Sequence, residues 1–456
     1  MSLKPAQIVI CGAGIAGIAA AYALTREHGF EDVVVVDPNP PLSVTSDKST
    51  EAYRNWWPGP DTAMTTFMNR SLDQIEAIAR ETDNRINMNR RGYVYATADA
   101  GKIPFLTEMA ISAERRGGGA TRFHDSPGSA YQPSPERGFD VPLTGADVIT
   151  DASLIRRHFP FLSPDTVALV HARRAGWLSA QQLGAVMLEA VRARGVRLVS
   201  GRVVGIEAGG GRVQGVAVEG AGESRFLPAD HVVLAGGPMQ QDLASLIGLD
   251  LPITAERHYK MGFHDQLNGL PRGAPMLIWL DEQHLPWTAE EREALAGDPE
   301  ASWLLEPFPG GVHGRPDGSA TLILFNHHGD PVDPVFPLPP EPPHYAEIAL
   351  RGMSTMVPGL QAYQGQPPRP FIDGGYYMRT RENRPLIGPV EGVAGVYLSC
   401  AYSGFGIMAS CAGGDLVARY IAGADLPEDA PAFLLSRYDD PDYRAALEMW
   451  GDGGQL

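Results

Sequence analysis

The chain has 456 residues, 44% of them hydrophobic, and a formal net charge of -17. That length can bury a large core divided between two domains, and the acidic balance excludes non-specific nucleic-acid binding, which needs a basic face against phosphate. No apolar run reaches the roughly 18 residues of a membrane-spanning helix and no charged-then-apolar leader is present, so a cytoplasmic protein without a transmembrane segment is expected.

Ile8-Val9-Ile10-Cys11 reads as a strand. The run Gly12-Ala13-Gly14-Ile15-Ala16-Gly17 is a glycine turn opening a helix, and Val33-Val34-Val35-Val36 is a second strand ending at Asp37 and Pro38. Gly12 permits the tight turn, Gly14 lets the backbone approach a pyrophosphate, and Gly17 lets the helix lie close on the sheet. The helix N-terminus offers free N–H groups and its dipole to phosphate oxygens. Asp37 stands twenty residues beyond Gly17, where a carboxylate accepts hydrogen bonds from both hydroxyls of an adenosine ribose and disfavours a 2′-phosphate. Strand, turn, helix, strand and acid in this order predict a dinucleotide site.

From about Asn89 the periodicity weakens, through Arg116-Gly117-Gly118-Gly119 and a loop over 127–142. Regular character returns at Gly176-Trp177-Leu178-Ser179, where Ser179 caps a helix expected over about 180–194 with Leu183, Val186, Met187 and Val191 on its apolar face. Strands are expected at 196–199, 202–206, 213–218 and 231–235. A second irregular region covers about 252–370 and includes a proline-dense loop at 331–343. Sheet and helix return with a strand at 396–399, a turn at Gly404-Phe405-Gly406 and a helix from about Ser410 to Ile421. The pattern is that of two domains threaded through each other. Cys11, Cys400 and Cys411 show no CxxC spacing and read as buried thiols in a reducing compartment. No metal site is expected.

The Gly12 turn with Asp37, the segment Thr45-Ser46-Asp47-Lys48-Ser49-Thr50, the strand Asp230-His231-Val232-Val233-Leu234-Ala235-Gly236-Gly237 and the ending Thr380-Arg381-Glu382-Asn383-Arg384-Pro385-Leu386-Ile387-Gly388-Pro389 together resemble the D-amino-acid oxidase family of flavoenzymes. Glycine oxidase, monomeric sarcosine oxidase and dimethylglycine dehydrogenase belong to that family. The resemblance implies an α/β fold in which a Rossmann-type FAD-binding domain (1–90, 170–250 and 371–430) is interleaved with an α+β substrate domain on a large mixed or antiparallel sheet (91–169 and 251–370), followed by a tail over 431–456. It implies FAD contacts at the Gly12–Gly17 turn (Gly12, Ala13, Gly14, Ile15, Ala16, Gly17), at Asp37 and Pro38, and at Ser46, Ser49 and Thr50. Val204 matches a position whose backbone contacts adenine, and Ala235 and Gly236 match a close passage of the chain past the cofactor. Gly404, Phe405, Gly406, Ile407 and Met408 resemble the family's glycine turn beside the flavin pyrimidine, where N–H groups and a helix dipole stabilise charge on a reduced ring.

The departures bear on chemistry. Family members with covalent flavin carry a cysteine just before the threonine motif or a histidine in the N-terminal flavin loop. Here Gly375 stands near the first position and no histidine lies between His28 and His124, so non-covalent FAD is expected. Amino-acid oxidases clamp the substrate carboxylate with an arginine where this chain has Tyr377. Sarcosine oxidases also have tyrosine there and use an arginine of the N-terminal loop, for which Arg54 is available, and a lysine whose place is taken by Met408. Arg379 and Arg381 are further candidates, and Trp56 and Trp57 follow Arg54, where they either roof the pocket or cradle a cationic amine, or pack in the core beneath a loop. The alternation of Arg257-His258-Tyr259-Lys260 sends His258 and Lys260 to one face of a strand. The run Thr321-Leu322-Ile323-Leu324-Phe325-Asn326-His327-His328 resembles the strand from which sarcosine oxidase presents a histidine, with His327 approximately in that place. The expected catalytic set is therefore His258, Lys260, His327 and Tyr377, with Arg54, Trp56 and Arg379 on the substrate. Ile323 aligns with the family's oxygen-activating lysine, which favours an electron acceptor other than oxygen unless Lys260 supplies the charge.

The expectation is an FAD-dependent oxidoreductase acting on a small molecule, oxidising a C–N bond of a secondary or N-methylated amine or amino acid by hydride transfer to flavin N5. The resemblance leaves two alternatives open, a C–OH dehydrogenase of 2-hydroxy acids or polyols and a non-catalytic FAD-containing assembly factor. Substrate and oligomeric state are not legible.

Overall fold

The computed structural model describes residues 7–57, 61–220, 222–327, 329–365 and 368–449. His328 and the expected domain ends at 1–6 and 450–456 lie outside the described residues.

Ile8–Cys11 is buried throughout, as a continuously apolar strand must be when both faces of its sheet are covered. It sits inside a six-stranded sheet. Val396–Cys400, His231–Leu234, Ile8–Cys11, Val33–Asp37 and Arg197–Ser200 run parallel in that order, with Leu386–Pro389 antiparallel on the outer edge. Helices Ile15–Arg26, Ala180–Ala193 and Gly406–Ala422 bury their apolar faces on one side of it, and the antiparallel meander of Arg202–Gly209, Arg212–Gly220 and Glu223–Pro228 covers the other. Two of these helices pack backbone to backbone: a Cβ added to Gly414 would lie 2.5 Å from the Ala19 carbonyl. The helix expected from about Ser410 begins a turn earlier, at Gly406, because the glycine turn runs directly into it. All three cysteines are free and buried, and burial pushes each thiol up to about 12.

The second layer is a ten-stranded sheet, antiparallel except for two parallel pairings. Its longest strand, Thr254–His264, pairs on one side with Ala320–Leu324 and on the other with Phe371–Arg379. Phe371–Arg379 therefore belongs to this sheet, and the expected boundary at 370/371 is corrected to lie beyond Arg379. Ala168–Ala172 also belongs to it, across the expected boundary at 169/170. One face, with Met261, Ile323 and Phe325, packs on helix Tyr345–Met356. The opposite face, with His258, Lys260 and Arg315, turns toward residues 49–51, where Lys260 and Arg315 donate to the carbonyls of Ser49 and Thr50. Strand alternation thus decides which side chains meet the first domain. No helix of the described residues is long and apolar enough to cross a membrane.

Candidate active site

The glycine turn is shaped by contacts that only glycine allows. Gly12 has φ +121°, and a Cβ there would lie 2.2 Å from the Ala235 carbonyl oxygen; one on Gly17 would lie 2.0 Å from the Gly12 carbonyl oxygen. Gly14 differs, since a Cβ there would meet only Ser46 Oγ, at 3.4 Å. The space above Gly14 opens into a groove lined by Ile15, Ala16, Ser46, Ser49 and Ala235. Ser46 Oγ accepts from the Ile15 N–H at 3.0 Å, bringing the loop onto the helix start. Asp37 accepts from the Ala13 and Asn39 N–H groups, both at 2.8 Å, so its carboxylate is fixed above the turn with lone pairs to spare for hydroxyl donors. Pro38 is exposed beside it. Val204 occupies a bulge, between the pairs Val203–Val218 and Gly205–Ala217, which frees its backbone from the ladder.

At the other end of the groove lies the turn at Gly404. Its φ is +81° and an added Cβ would lie 2.2 Å from the Tyr377 ring, so the turn packs flat on that ring. Helix Gly406–Ala422 starts there with no side-chain cap and no acid in its first turn, as does helix Ile15–Arg26 at Gly14. Two helix N-termini without carboxylates thus converge on one groove, which suits the anionic pyrophosphate and the electron-rich edge of a reduced flavin. Gly404, Gly406 and Ile407 line the groove; Phe405 and Met408 line the larger cavity into which it leads. Gly236 lies between groove-lining Ala235 and Gly237, and its N–H donates to Gln240 Oε1 at 2.8 Å; Pro238 also lines the groove.

The cavity, of about 720 Å³, shares Tyr377, Ser403 and Gly404 with the groove and is walled by the inner face of the ten-stranded sheet. Arg54 reaches it from strand Ala52–Arg54. It is only 7% exposed, its Nε donates to the Trp56 carbonyl at 3.1 Å, and its guanidinium lies 4.6 Å from the Trp57 ring. Among the described residues no carboxylate pairs with it. Trp56 is corrected: it packs on Tyr95, centroids 5.0 Å apart, and does not itself line the cavity, although Tyr93, Met276 and Ile278 of its core cluster do; the rings beside the Arg54 guanidinium are Trp57 and Tyr93.

Glu256 and His258 face the cavity from strand Thr254–His264. His258 Nε2 lies 3.3 Å from Glu256 Oε2, and Arg379 Nη1 lies 2.5 Å from Glu256 Oε1. Burial alone would raise the Glu256 carboxyl, but the hydrogen bond from His258 and the Arg379 charge outweigh it and hold it below its ordinary value. Burial lowers His258 against the opposing pull of Glu256. Arg379 lines the cavity with its charge matched by Glu256, and Arg381 lines it as well while pairing with Glu448, at 2.7 Å. Tyr377 is pushed up to about 12 by burial. Lys260 Nζ donates to the Ser49 carbonyl at 2.8 Å, and burial lowers it although Asp373 and Glu51 oppose. Thr50 lines the cavity and accepts from Arg315 Nε at 3.0 Å.

His327 does not reach this cavity. Strand Ala320–Leu324 ends before it, and it packs against Phe308, Phe325 and Tyr345 in a separate small cavity. Asn326, one residue earlier, lines the main cavity with Nδ2 3.4 Å from His258 Nε2. Ile323 likewise faces helix Tyr345–Met356, while Leu324, paired with Lys260, stands on the inner face. His313, which the sequence reading passes over, lines the cavity from strand His313–Asp317, and burial lowers it to about 4. Its only sequence signal is the alternation His313-Gly314-Arg315 inside a segment read as irregular. No group of three or more His, Cys, Asp and Glu positioned to hold a metal ion occurs among the described residues.

A family model described as FAD dependent oxidoreductase (DAO) matches residues 7–420. No curated protein matches the chain in sequence. Among solved structures, L-proline dehydrogenase from P. horikoshii is 17% identical over 96% of this chain and 98% of its own, with a TM-score of 0.71. Glycine oxidase from Bacillus cereus is 16% identical over 95% and 99%, with a TM-score of 0.69. Iminodiacetate oxidase from Chelativorans sp. BNC1 is 18% identical over 94% and 98%, with a TM-score of 0.67. At these identities the likeness establishes the fold.

Proposed function

The chain belongs to the DAO family of FAD-dependent oxidoreductases, and on that premise we propose that it oxidises the C–N bond of a secondary or N-methylated amino acid held by its carboxylate. The observation that carries this reading is Arg54, a guanidinium buried on the cavity wall with no described carboxylate beside it. A buried charge left unmatched is costly, and an incoming carboxylate matches it with charge-assisted hydrogen bonds. Trp57 and the Trp56 carbonyl hold the guanidinium in place for that contact. Glycine, iminodiacetate and L-proline, the compounds in the names of the structural neighbours, each carry an amine beside a carboxylate.

FAD, when bound, supplies the hydride acceptor. Gly14, Ser46, Asp37 and the N-terminus of helix Ile15–Arg26 would hold its phosphates and ribose, and the Gly404 turn its ring, without a covalent bond. The chain's own residues do the rest: Arg54 orients the carboxylate, Phe405 and Met408 exclude water, and a cavity histidine receives the ammonium proton, since only a neutral amine can give up a hydride from the adjacent carbon. The cation that Lys260 brings to the inner face is offset by neighbouring carboxylates, which favours an acceptor other than oxygen.

Anaerobic mixing of the yellow protein with secondary amino acids, matching amines without a carboxylate, and 2-hydroxy acids tests the reading. Bleaching by the amino acids is the expected result. Bleaching by hydroxy acids alone would assign C–OH oxidation, and bleaching by none would leave an FAD-containing assembly factor.

A further inference from the structure

Resting on Arg54 as the carboxylate clamp, we propose that Nε2 of His313 takes the proton from the substrate ammonium before the C–N bond is oxidised. Strand His313–Asp317 pairs His313 with Leu324, which pairs in turn with Lys260, so the imidazole stands on the inner face of the sheet and lines the cavity. Its Nδ1 lies 2.9 Å from the Gly311 carbonyl oxygen. A carbonyl can only accept, so Nδ1 carries the hydrogen and the lone pair of the neutral ring is at Nε2. Nε2 makes no hydrogen bond to any described residue.

The groups around the ring fit a proton acceptor beside the clamp. Arg54, on strand Ala52–Arg54, and His258, on strand Thr254–His264, line the same cavity as His313, as do Tyr93, Glu256, Tyr377 and Arg379. Arg54 and His258 both bear on His313, whereas the Arg379 charge acts on His258. In an α-amino acid the nitrogen is one carbon from the carboxylate, so the acceptor belongs in the cavity that Arg54 lines, as His313 does. His258 is already committed, with Nε2 directed at Glu256 and Tyr377 stacked on its ring. Burial, with smaller contributions from His258 and Arg54 against the Gly311 hydrogen bond, keeps His313 neutral before substrate arrives. The same burial penalises the incoming ammonium, so the transfer moves one positive charge within the cavity instead of burying a new one. In the step, one N–H bond of the ammonium breaks and its proton bonds to Nε2, and the freed nitrogen lone pair becomes the second bond of an iminium as hydride leaves the carbon for the flavin that the family binds.

Two measurements on the holoenzyme test this. In the anaerobic reductive half-reaction with the fastest-bleaching secondary amino acid, His313→Gln should lose about 10²–10⁴-fold at neutral pH. It should regain rate tenfold per pH unit as the free amine becomes available without a base. His313→Asn, which can keep a donor toward Gly311, should behave alike while both variants retain the wild-type flavin spectrum. Independently of turnover, ¹⁵N-histidine spectra should show an Nδ1–H ring that is lost in His313→Gln and whose Nε2 resonance in wild type moves on adding acetate. A loss uniform across pH, or an Nε2–H ring insensitive to acetate, would overturn the proposal. Failure of the Arg54 reading shows differently: the pH behaviour of His313→Gln persists, but acetate and carboxylate-free amines bind equally well to Arg54→Ala and wild type.

Discussion

The ring of Tyr377 lies flat on the imidazole of His258, centroids 3.7 Å apart and 14° from parallel. The other side of the same tyrosine ring fills the space that a side chain at Gly404 would need. One aromatic ring therefore ties a cavity histidine to the turn at the start of helix Gly406–Ala422, and stacking of this kind contributes about 0.5–1.5 kcal/mol beyond area burial. Tyr377→Ala should lower stability by up to about 3 kcal/mol by leaving a cavity, and should shift the flavin absorbance because the Gly404 turn loses its support. Tyr377→Phe should keep both properties near wild type. Thermal melts and visible spectra of the two variants check this, and equal loss in both would assign the effect to the phenol hydroxyl.

Acid sensitivity follows from the buried histidines. Burial lowers His313 to about 4 and His171 to about 3. Their folded values lie below the unfolded value of about 6.5, so the unfolded chain binds more protons once pH falls below that value. Stability present at neutral pH is therefore lost as pH falls from about 6.5 toward 4. A tenfold difference in proton affinity between the folded and the unfolded chain is worth about 1.4 kcal/mol, so His313 accounts for up to about 3 kcal/mol over that window. The fall in Tm between pH 6.5 and 4 should be shallower in His313→Gln than in wild type. Superimposable curves would mean that His313 is protonated in the folded protein.

The cofactor groove is legible in the sequence because its determinants are local. The spacing of Gly12, Gly14 and Gly17 and the acid at Asp37 encode a turn, a helix start and a strand end within forty residues. The cavity is less so, because its lining is set by which face of a strand meets the first domain, and one residue of register exchanges the faces. His327 and Ile323 each stand one position from Asn326 and Leu324, the residues on the inner face. His313 lies in a segment whose prolines and glycines hide a strand, and only its pairing with Ala320–Leu324 brings it to the site. Phe371–Arg379 escapes recognition as a strand because its Gly374-Gly375 pair reads as a turn, yet the glycines admit Tyr259 and Lys48 against the backbone. Trp56 and Trp57, adjacent in sequence, point to different cores for the same reason of alternation.

Arg54→Ala should raise KM for a carboxylate-bearing amine by about 10- to 100-fold, the equivalent of one charge-assisted hydrogen bond at about 1.5–3 kcal/mol, and hardly at all for the same amine without the carboxylate. Steady-state kinetics on such a pair checks it. Arg54→Lys should recover little, since an ammonium cannot form the two parallel hydrogen bonds of a guanidinium or rest on the Trp57 face as well. Equal effects of Arg54→Ala on both substrates would make the residue structural.

FAD should leave the protein entirely on acid precipitation, because Gly375 offers no nucleophile at a known attachment position and the flavin loop has no histidine. Colour retained in the pellet would contradict this. Asp37→Ala should weaken FAD binding by about 10- to 100-fold, from the loss of charge-assisted hydrogen bonds. The variant also releases the Ala13 and Asn39 N–H groups, so Asp37→Asn, which keeps an acceptor oxygen, should fall between Asp37→Ala and wild type. FAD titration by fluorescence quenching measures all three.

The electron acceptor turns on the charge that Lys260 presents. A fixed cation near a reduced flavin helps superoxide form by stabilising the developing anion. Lys260 is the ammonium on the inner face of its strand, but its Nζ donates to the Ser49 carbonyl and it lies in the fields of Asp373, Glu51 and Asp47, with the Arg315 cation opposing them. Its neighbour across the strand pair is Leu324, which carries no charge. The reduced enzyme should therefore pass electrons to an artificial acceptor dye much faster than to air-saturated buffer. Leu324→Lys, on the inner face, should speed re-oxidation by oxygen, and Ile323→Lys, buried against helix Tyr345–Met356, should destabilise the fold without doing so. If wild type reacts with oxygen at an oxidase-like rate and Lys260→Met abolishes it, the carboxylates do not neutralise Lys260 and the protein is an oxidase with its cation on this strand.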